Sequence, residues 1–221
     1  MAARPLVLLK QLREYIRSRG LLATLQRFGS AFLFSREHYV LVYKPMDVDL
    51  PRVDARISGR CRAAEITDLP QLVVFSNHYT QDQFREWIEQ GGVLFLFDHD
   101  GRIVAYRLIT REVPPVGAAT RIIHLEPTDT WVANTYTLPE FRAGRIGSAL
   151  TSHVLRVNQA LGYKREISLI RLSNEASRKM VGLAGAIEIE EITYTILCGL
   201  KFYQRRPANE RRYYVGQSTG S

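Results

Sequence analysis

Thr135-Tyr136-Thr137-Leu138-Pro139-Glu140-Phe141-Arg142-Ala143-Gly144-Arg145-Ile146-Gly147 is the stretch on which the fold turns. It closes a strand-like run, 130–137, and opens a helix. The helix is marked by Ile146, Leu150, Val154, Val157 and Leu161, spaced by three or four residues so that one face is apolar. The first N–H groups of a helix lack intrahelical partners, and the helix dipole favours an anion there. Ala143, Gly144 and Gly147 are small enough to let a phosphate approach, and Arg142 and Arg145 would add charge-assisted bonds to it. The stretch reads as a pyrophosphate cradle.

These residues resemble motif A of the GNAT superfamily of N-acetyltransferases, Val-x-Pro-x-Tyr-Arg-Gly-x-Gly-x-Gly. Thr137 to Arg142 fit the lead-in, and Arg142-Ala143-Gly144-Arg145-Ile146-Gly147 fit the core, with Arg145 in place of the middle glycine. Some 30 residues on, Asn174-Glu175-Ala176-Ser177-Arg178-Lys179-Met180 resembles the superfamily's Asn-x-x-Ala/Ser-x-x-Tyr. The resemblance implies an acyl-CoA N-acyltransferase fold, in which central strands splay to admit a pantetheine arm. It implies acetyl-CoA as cosubstrate, with pantetheine against Thr137 and Leu138 and the pyrophosphate on Arg142, Ala143, Gly144, Arg145, Ile146, Gly147 and Ser148. Asn174 and Ser177 would meet the pantetheine. Asn174 is equally a good N-cap for the helix that follows. Met180 departs from the family's tyrosine, the general acid, since a thioether has no proton to give.

Working outward, the pattern is that of an α+β protein, a mixed and mostly antiparallel sheet flanked by helices. Strands are expected at 37–43, 61–66, 93–97, 102–110, 130–137, 165–172, 187–197 and 200–203, with a short extra strand at 121–125. Asp98-His99-Asp100-Gly101 is a hairpin signal. Thr67 is expected to cap a helix carrying Pro70 in its first turn, and Thr80-x-x-Gln83 is a capping box. Residues 46–58, rich in Asp, Pro and Arg, read as a linker. The domain reading is a helical, basic extension and linker at 1–56, an acyltransferase domain at 57–205 and a polar basic tail at 206–221.

The chain is 46% apolar and 24% charged, with net charge +8, as befits a globular protein. The charge sits at the ends. Residues 1–40 hold seven Lys/Arg and two acids (+5), residues 201–221 hold five and one (+4), and the 160 between hold 18 and 19 (−1). No helix-turn-helix, zinc finger or aromatic RNA-binding motif accompanies this basicity, so no nucleic-acid partner is expected. Helices at 5–19 and 21–28 carry short apolar faces, which suit packing on the domain better than a peripheral membrane contact. Cys61 and Cys198 lack metal-ligand spacing and read as small buried hydrophobes in a reducing compartment; no metal is expected, and cytoplasm is the default.

Acyl transfer to an amine needs a proton acceptor. Asp129 and Glu140 are the candidate bases, Tyr194 a candidate acid, and His78 and Tyr79 candidate acceptor-pocket residues. Each has a plainer structural reading as well: Asp129 as the turn residue that opens its strand, Glu140 as a solvated turn residue, His78 and Tyr79 as ordinary loop residues, and Tyr194, on a face with Ile192 and Ile196, as core. The expected activity is acetyl-CoA-dependent acetylation of a primary amine on a small molecule. A catalytically idle acyl-CoA binder, and a transferase using a longer or carrier-bound acyl chain, stay open, as does a homodimer.

Overall fold

The computed structural model describes residues 34–75, 80–113 and 119–208. The helices expected at 5–19 and 21–28, His78, Tyr79 and the tail beyond 208 lie outside those residues. The chain forms two units. Among the described residues the smaller joins residues 34–38 to Ile192–Arg205; the larger comprises those of Tyr39–Glu191 together with residues 206–208.

In the larger unit the strands run β2-β3-β4-β5-β6-β1-β7 across the sheet. They are β1 (Phe34–Pro45, here through residues 39–45), β2 (Arg60–Ala63), β3 (Val93–His99), β4 (Arg102–Thr110), β5 (Asp129–Thr137), β6 (Arg165–Arg171) and β7 (Ile187–Leu197, here through residues 187–191). Neighbours from β2 to β5 are antiparallel, β5 and β6 are parallel, and β6 and β1 are antiparallel. The helices are α1 (Leu69–Phe75), α2 (Gln81–Glu89), α3 (Ile146–Ala160) and α4 (Glu175–Leu183).

Period-two alternation sends side chains to both faces of the sheet. Leu94 and Leu96 of β3 pack with Leu69 and Leu72 of α1 and Phe84 of α2. Phe95 and Phe97 pack with Ile146, Leu150 and Val154 of α3. Each such buried side chain contributes about 1.5–3 kcal/mol. β3 and β4 meet in a tight hairpin whose turn residues Asp100 and Gly101 have φ of 49° and 77°, the left-handed pair a type I′ turn requires.

Three expectations change in these elements. Glu65, not Thr67, caps the first helical turn, through a reciprocal box with Asp68; Asp68 is held there by Arg62 at 2.6 and 2.7 Å. Residues 121–125 are not a strand, because Ala119–Ile122 close a short 3₁₀ turn. Leu161 does not extend the apolar face of α3: it is 68% exposed, just past the helix end. Instead α3 buries a second stripe of small polar residues, Ser148, Thr151, Ser152 and Asn158.

The stretch 46–58 is not a loose linker either. Ser152 Oγ donates to Pro51 O at 2.8 Å and accepts the Val53 N–H at 3.2 Å. Gln159 donates to the carbonyls of Met46 and Val48, and the Arg56 N–H donates to Gly144 O at 2.8 Å. Ala55 and Ile57 pack beside α3. The segment is a strap along α3, and β1 ahead of it supplies an interior strand, with Val40 and Val42 against Ile170 and Val181. The fold therefore draws on residues before 57.

In the smaller unit, residues 192–197 and the 200–205 part of β8 (Leu200–Pro207) are joined through Cys198 and Gly199, both with positive φ (48° and 78°). Cys198 is exposed, contrary to expectation, because it occupies that turn. Tyr194 is buried, with its ring 5.2 Å from that of Tyr203.

Candidate functional site

The parallel pairing of β5 with β6 is short. Only Asp129, Thr130 and Trp131 stand opposite Arg165, Glu166 and Ile167. Beyond that point β6 continues its pairing with β1 through residues 168–171, while β5 stays with β4 through Thr137. The register of β5 with β4 also slips between Leu108 and Ile109, leaving Ala133 unmatched, and such a bulge bends its strand. The two strands diverge, and α3 and α4 start beside the gap.

A cleft of about 490 Å³ opens there. Thr135, Tyr136, Thr137, Arg142, Ala143, Arg145, Gly147 and Ser148 line it from β5 and the turn into α3; Asn174, Ala176, Ser177, Lys179, Met180 and Leu183 line it from the α4 segment. Of the eleven residues expected around coenzyme A, eight are among these. Leu138 and Ile146 are buried in the core under α3, and Gly144 sits against Ile146 and Ile57.

The turn is built from a 3₁₀ segment, Pro139–Gly144, which begins with proline at a position where its missing N–H costs nothing. Arg145 follows with φ 57° and ψ 16°, left-handed, and stands as the N-cap of α3. This is the position where the family motif has glycine, and the backbone geometry explains that preference. The Arg145 side chain is exposed and free of any cap bond. Arg142 donates Nε to Thr137 O at 3.2 Å and lies 5.7 Å over the Tyr136 ring, so its terminal nitrogens remain for an anion. Lys179, which sequence reading missed, adds a third cation, paired only loosely with Glu175 at 3.7 Å. No carboxylate lines the cleft among the described residues. The site is positive, at the N-terminus of a 15-residue helix.

Gly147 is required for a further reason. A Cβ there would stand 2.5 Å from Met180 Sδ, so the methionine thioether lies directly on the helix backbone. Asn174 accepts the Ser177 N–H at 3.2 Å and caps α4, leaving its amide nitrogen to other partners. Arg178, buried, clamps α4 through Glu188 at 2.7 and 2.8 Å and through Leu172 O.

The acid–base candidates are not gathered at this cleft. Asp129 is fully covered and takes Arg165 at 2.6 and 2.7 Å and the Glu126 N–H at 2.8 Å. This pairing raises the Arg165 pKa, chiefly through the hydrogen bonds. It staples β5 to β6 at the start of their short parallel ladder, two residues before they part. Glu140 is exposed on an ion pair with Arg102 at 3.1 Å. Tyr194 belongs to the smaller unit, and His78 and Tyr79 are outside the described residues.

A set of polar groups links four strands: buried Arg107 stands opposite half-buried Thr135 in register and contacts buried Glu166, which stands opposite buried Lys44. Arg107 reaches Glu166 Oε1 at 2.5 Å and Thr135 Oγ1 at 3.0 Å. Lys44 Nζ has no hydrogen-bond partner among the described residues; burial pushes its ammonium down to about 7, against the pull of Glu166. Burial likewise pushes the Cys61 thiol up to about 11. Among the described residues no group of three His, Cys, Asp or Glu could hold a metal, and no helix is long and apolar enough to cross a membrane.

Residues 62–184 match the model of the acetyltransferase (GNAT) family. Solved structures with a similar fold include a GNAT-family protein of Novosphingobium aromaticivorans, at 15% identity over 73% of this chain and 63% of that one, TM-score 0.53. A Drosophila protein aligns at 9% identity over 82% of this chain and 59% of that one, TM-score 0.54. This chain thus spans less than two thirds of either. At such identities the likeness concerns the fold. No curated protein matches the sequence significantly.

Proposed function

Because the chain belongs to the GNAT family of acetyltransferases, we propose that it binds acetyl-CoA in the cleft between β5 and α4 and transfers the acetyl group to a primary amine of a small molecule. The observation that carries this reading is the cleft itself: three cations, no lining carboxylate, and a buried helix N-terminus where two strands part. The bound cosubstrate supplies an activated thioester carbonyl. The N–H groups at 145–148 and the Arg142, Arg145 and Lys179 side chains would hold its phosphates. Backbone groups of β5 at 135–137, freed by the divergence from β6, would hold the arm by hydrogen bonds, and Asn174 and Ser177 would flank it. Leu138, Gly144 and Ile146 contribute by shaping the turn.

Asp129 is committed to Arg165 and Glu140 to Arg102, so in this reading the acceptor amine loses its proton to solvent, and Glu140, Tyr194, His78 and Tyr79 are left to mutagenesis. Met180 favours one rival, an acyl-CoA binder without turnover. A free-thiol assay with acetyl-CoA against amino sugars, amino acids and polyamines separates the two. Thiol release with at least one amine is expected. Tight binding with no release from any amine would favour the binder.

A further inference from the structure

The hydroxyl of Thr135 has its orientation fixed from below. Its oxygen accepts from Arg107 Nη1 at 3.0 Å, and Arg107, 1% exposed, is anchored by its other terminal nitrogen on Glu166, itself buried. A guanidinium only donates, so the hydrogen of the threonine hydroxyl cannot serve Arg107. Among the described residues no acceptor takes that hydrogen. Thr135 is half-buried and lines the cleft, which is where the hydrogen is left to point. Of the other cleft hydroxyls, Ser148 Oγ donates to Met180 O at 3.4 Å, and none but Thr135 accepts from a buried guanidinium among the described residues. A buried ion pair is an expensive support, and here its free face bears on one cleft hydroxyl.

We propose that Thr135 donates a hydrogen bond to the sulfur of the thioester bound in the cleft, with Arg107 and Glu166 as the positioning pair that aims it. The inference rests on the functional reading above. The phosphates of coenzyme A and its sulfur lie at opposite ends of the arm. With the phosphates at the turn after Thr137, the sulfur end runs back along β5 toward Thr135 and the point of divergence. In the transfer the amine nitrogen bonds to the carbonyl carbon and the carbon–sulfur bond breaks, its electron pair going to sulfur. The departing thiolate takes the Thr135 hydrogen bond. The amine proton passes to solvent, and solvent then protonates the thiolate. Met180, across the cleft, has no proton to offer.

Three variants test this, Thr135→Val, Thr135→Ala and Thr135→Ser, each checked for folding by its melting curve. Calorimetry gives the coenzyme A affinity, ultraviolet absorbance against pH gives the pKa of the bound thiol, and thiol release gives kcat and KM. Loss of a hydrogen bond to a charged sulfur predicts a bound-thiol acidity and a kcat lower by roughly tenfold to a hundredfold in the valine and alanine variants. KM for acetyl-CoA should stay near the parent value, and the serine variant should behave as the parent. Parent-like thiol acidity in the alanine or valine variant, or a serine variant as impaired as these, overturns the proposal and leaves the functional reading standing. Failure of the parent to bind coenzyme A overturns both.

Discussion

Arg145 shows how one residue can serve a site at the expense of its own backbone. A left-handed residue with a Cβ costs on the order of 1 kcal/mol, and the helix start at Ile146 demands that conformation. Glycine would remove the strain but lose more chain entropy on folding, a cost of similar size. Arg145→Gly should therefore leave the melting temperature unchanged or slightly raised, while weakening coenzyme A binding by about fivefold through loss of an exposed cation. A large loss of stability, read by thermal melting beside calorimetry, would instead make the arginine side chain part of the fold. The sequence displayed this residue as a mismatch to a motif; its meaning lay in a dihedral angle that composition does not carry. Asp129 was harder to read. As a residue ahead of a strand it looked available for proton transfer, but parallel register places Arg165 opposite it, and register between strands 36 residues apart is not a local property.

At the scale of elements, local chemistry was read well and long-range partnership poorly. The Thr80–Gln83 box, the Asp100-Gly101 turn and the start of α3 all follow from interactions within a few residues, and each is found where the side chains called for it. In sequence the strap at 46–58 reads as a linker because Asp, Pro and Arg imply solvent. Its alternating burial and its bonds to Ser152 and Gln159 depend on a helix a hundred residues later. The small polar stripe at Ser148, Thr151, Ser152 and Asn158 was the available clue. Small polar side chains at helical spacing on a second face imply a second packed partner, here the strap for Ser152 and α4 for Ser148. The same limit applied to the cleft. Its phosphate end is one contiguous turn and was legible, whereas Lys179 and the Thr135–Arg107–Glu166 row enter only once α4 and the neighbouring strands are assembled.

For the whole molecule, the buried row makes stability depend on pH in a direction that can be stated. Lys44 is held down to about 7 mainly by burial, with Arg107 adding to the effect and Glu166 opposing it. The unfolded chain keeps a lysine protonated to about 10.4. Between these values the unfolded state binds more protons, so this residue's contribution to stability rises with pH through that window and the penalty is full below about 7. Lys44→Met removes the titration. The melting temperature of the parent relative to this variant should climb between about pH 7 and about pH 10, and a difference that stays flat would show that Lys44 remains charged by drawing on Glu166. The central claim concerns the cleft, and calorimetric titration with coenzyme A and acetyl-CoA tests it most directly. The parent should bind with micromolar affinity, about −8 kcal/mol. Gly147→Glu should abolish binding, since its side chain must displace Met180 and sets a negative charge where the phosphates approach. No heat and no thermal shift for the parent at millimolar ligand, or a folded glutamate variant that binds as the parent does, would contradict the account.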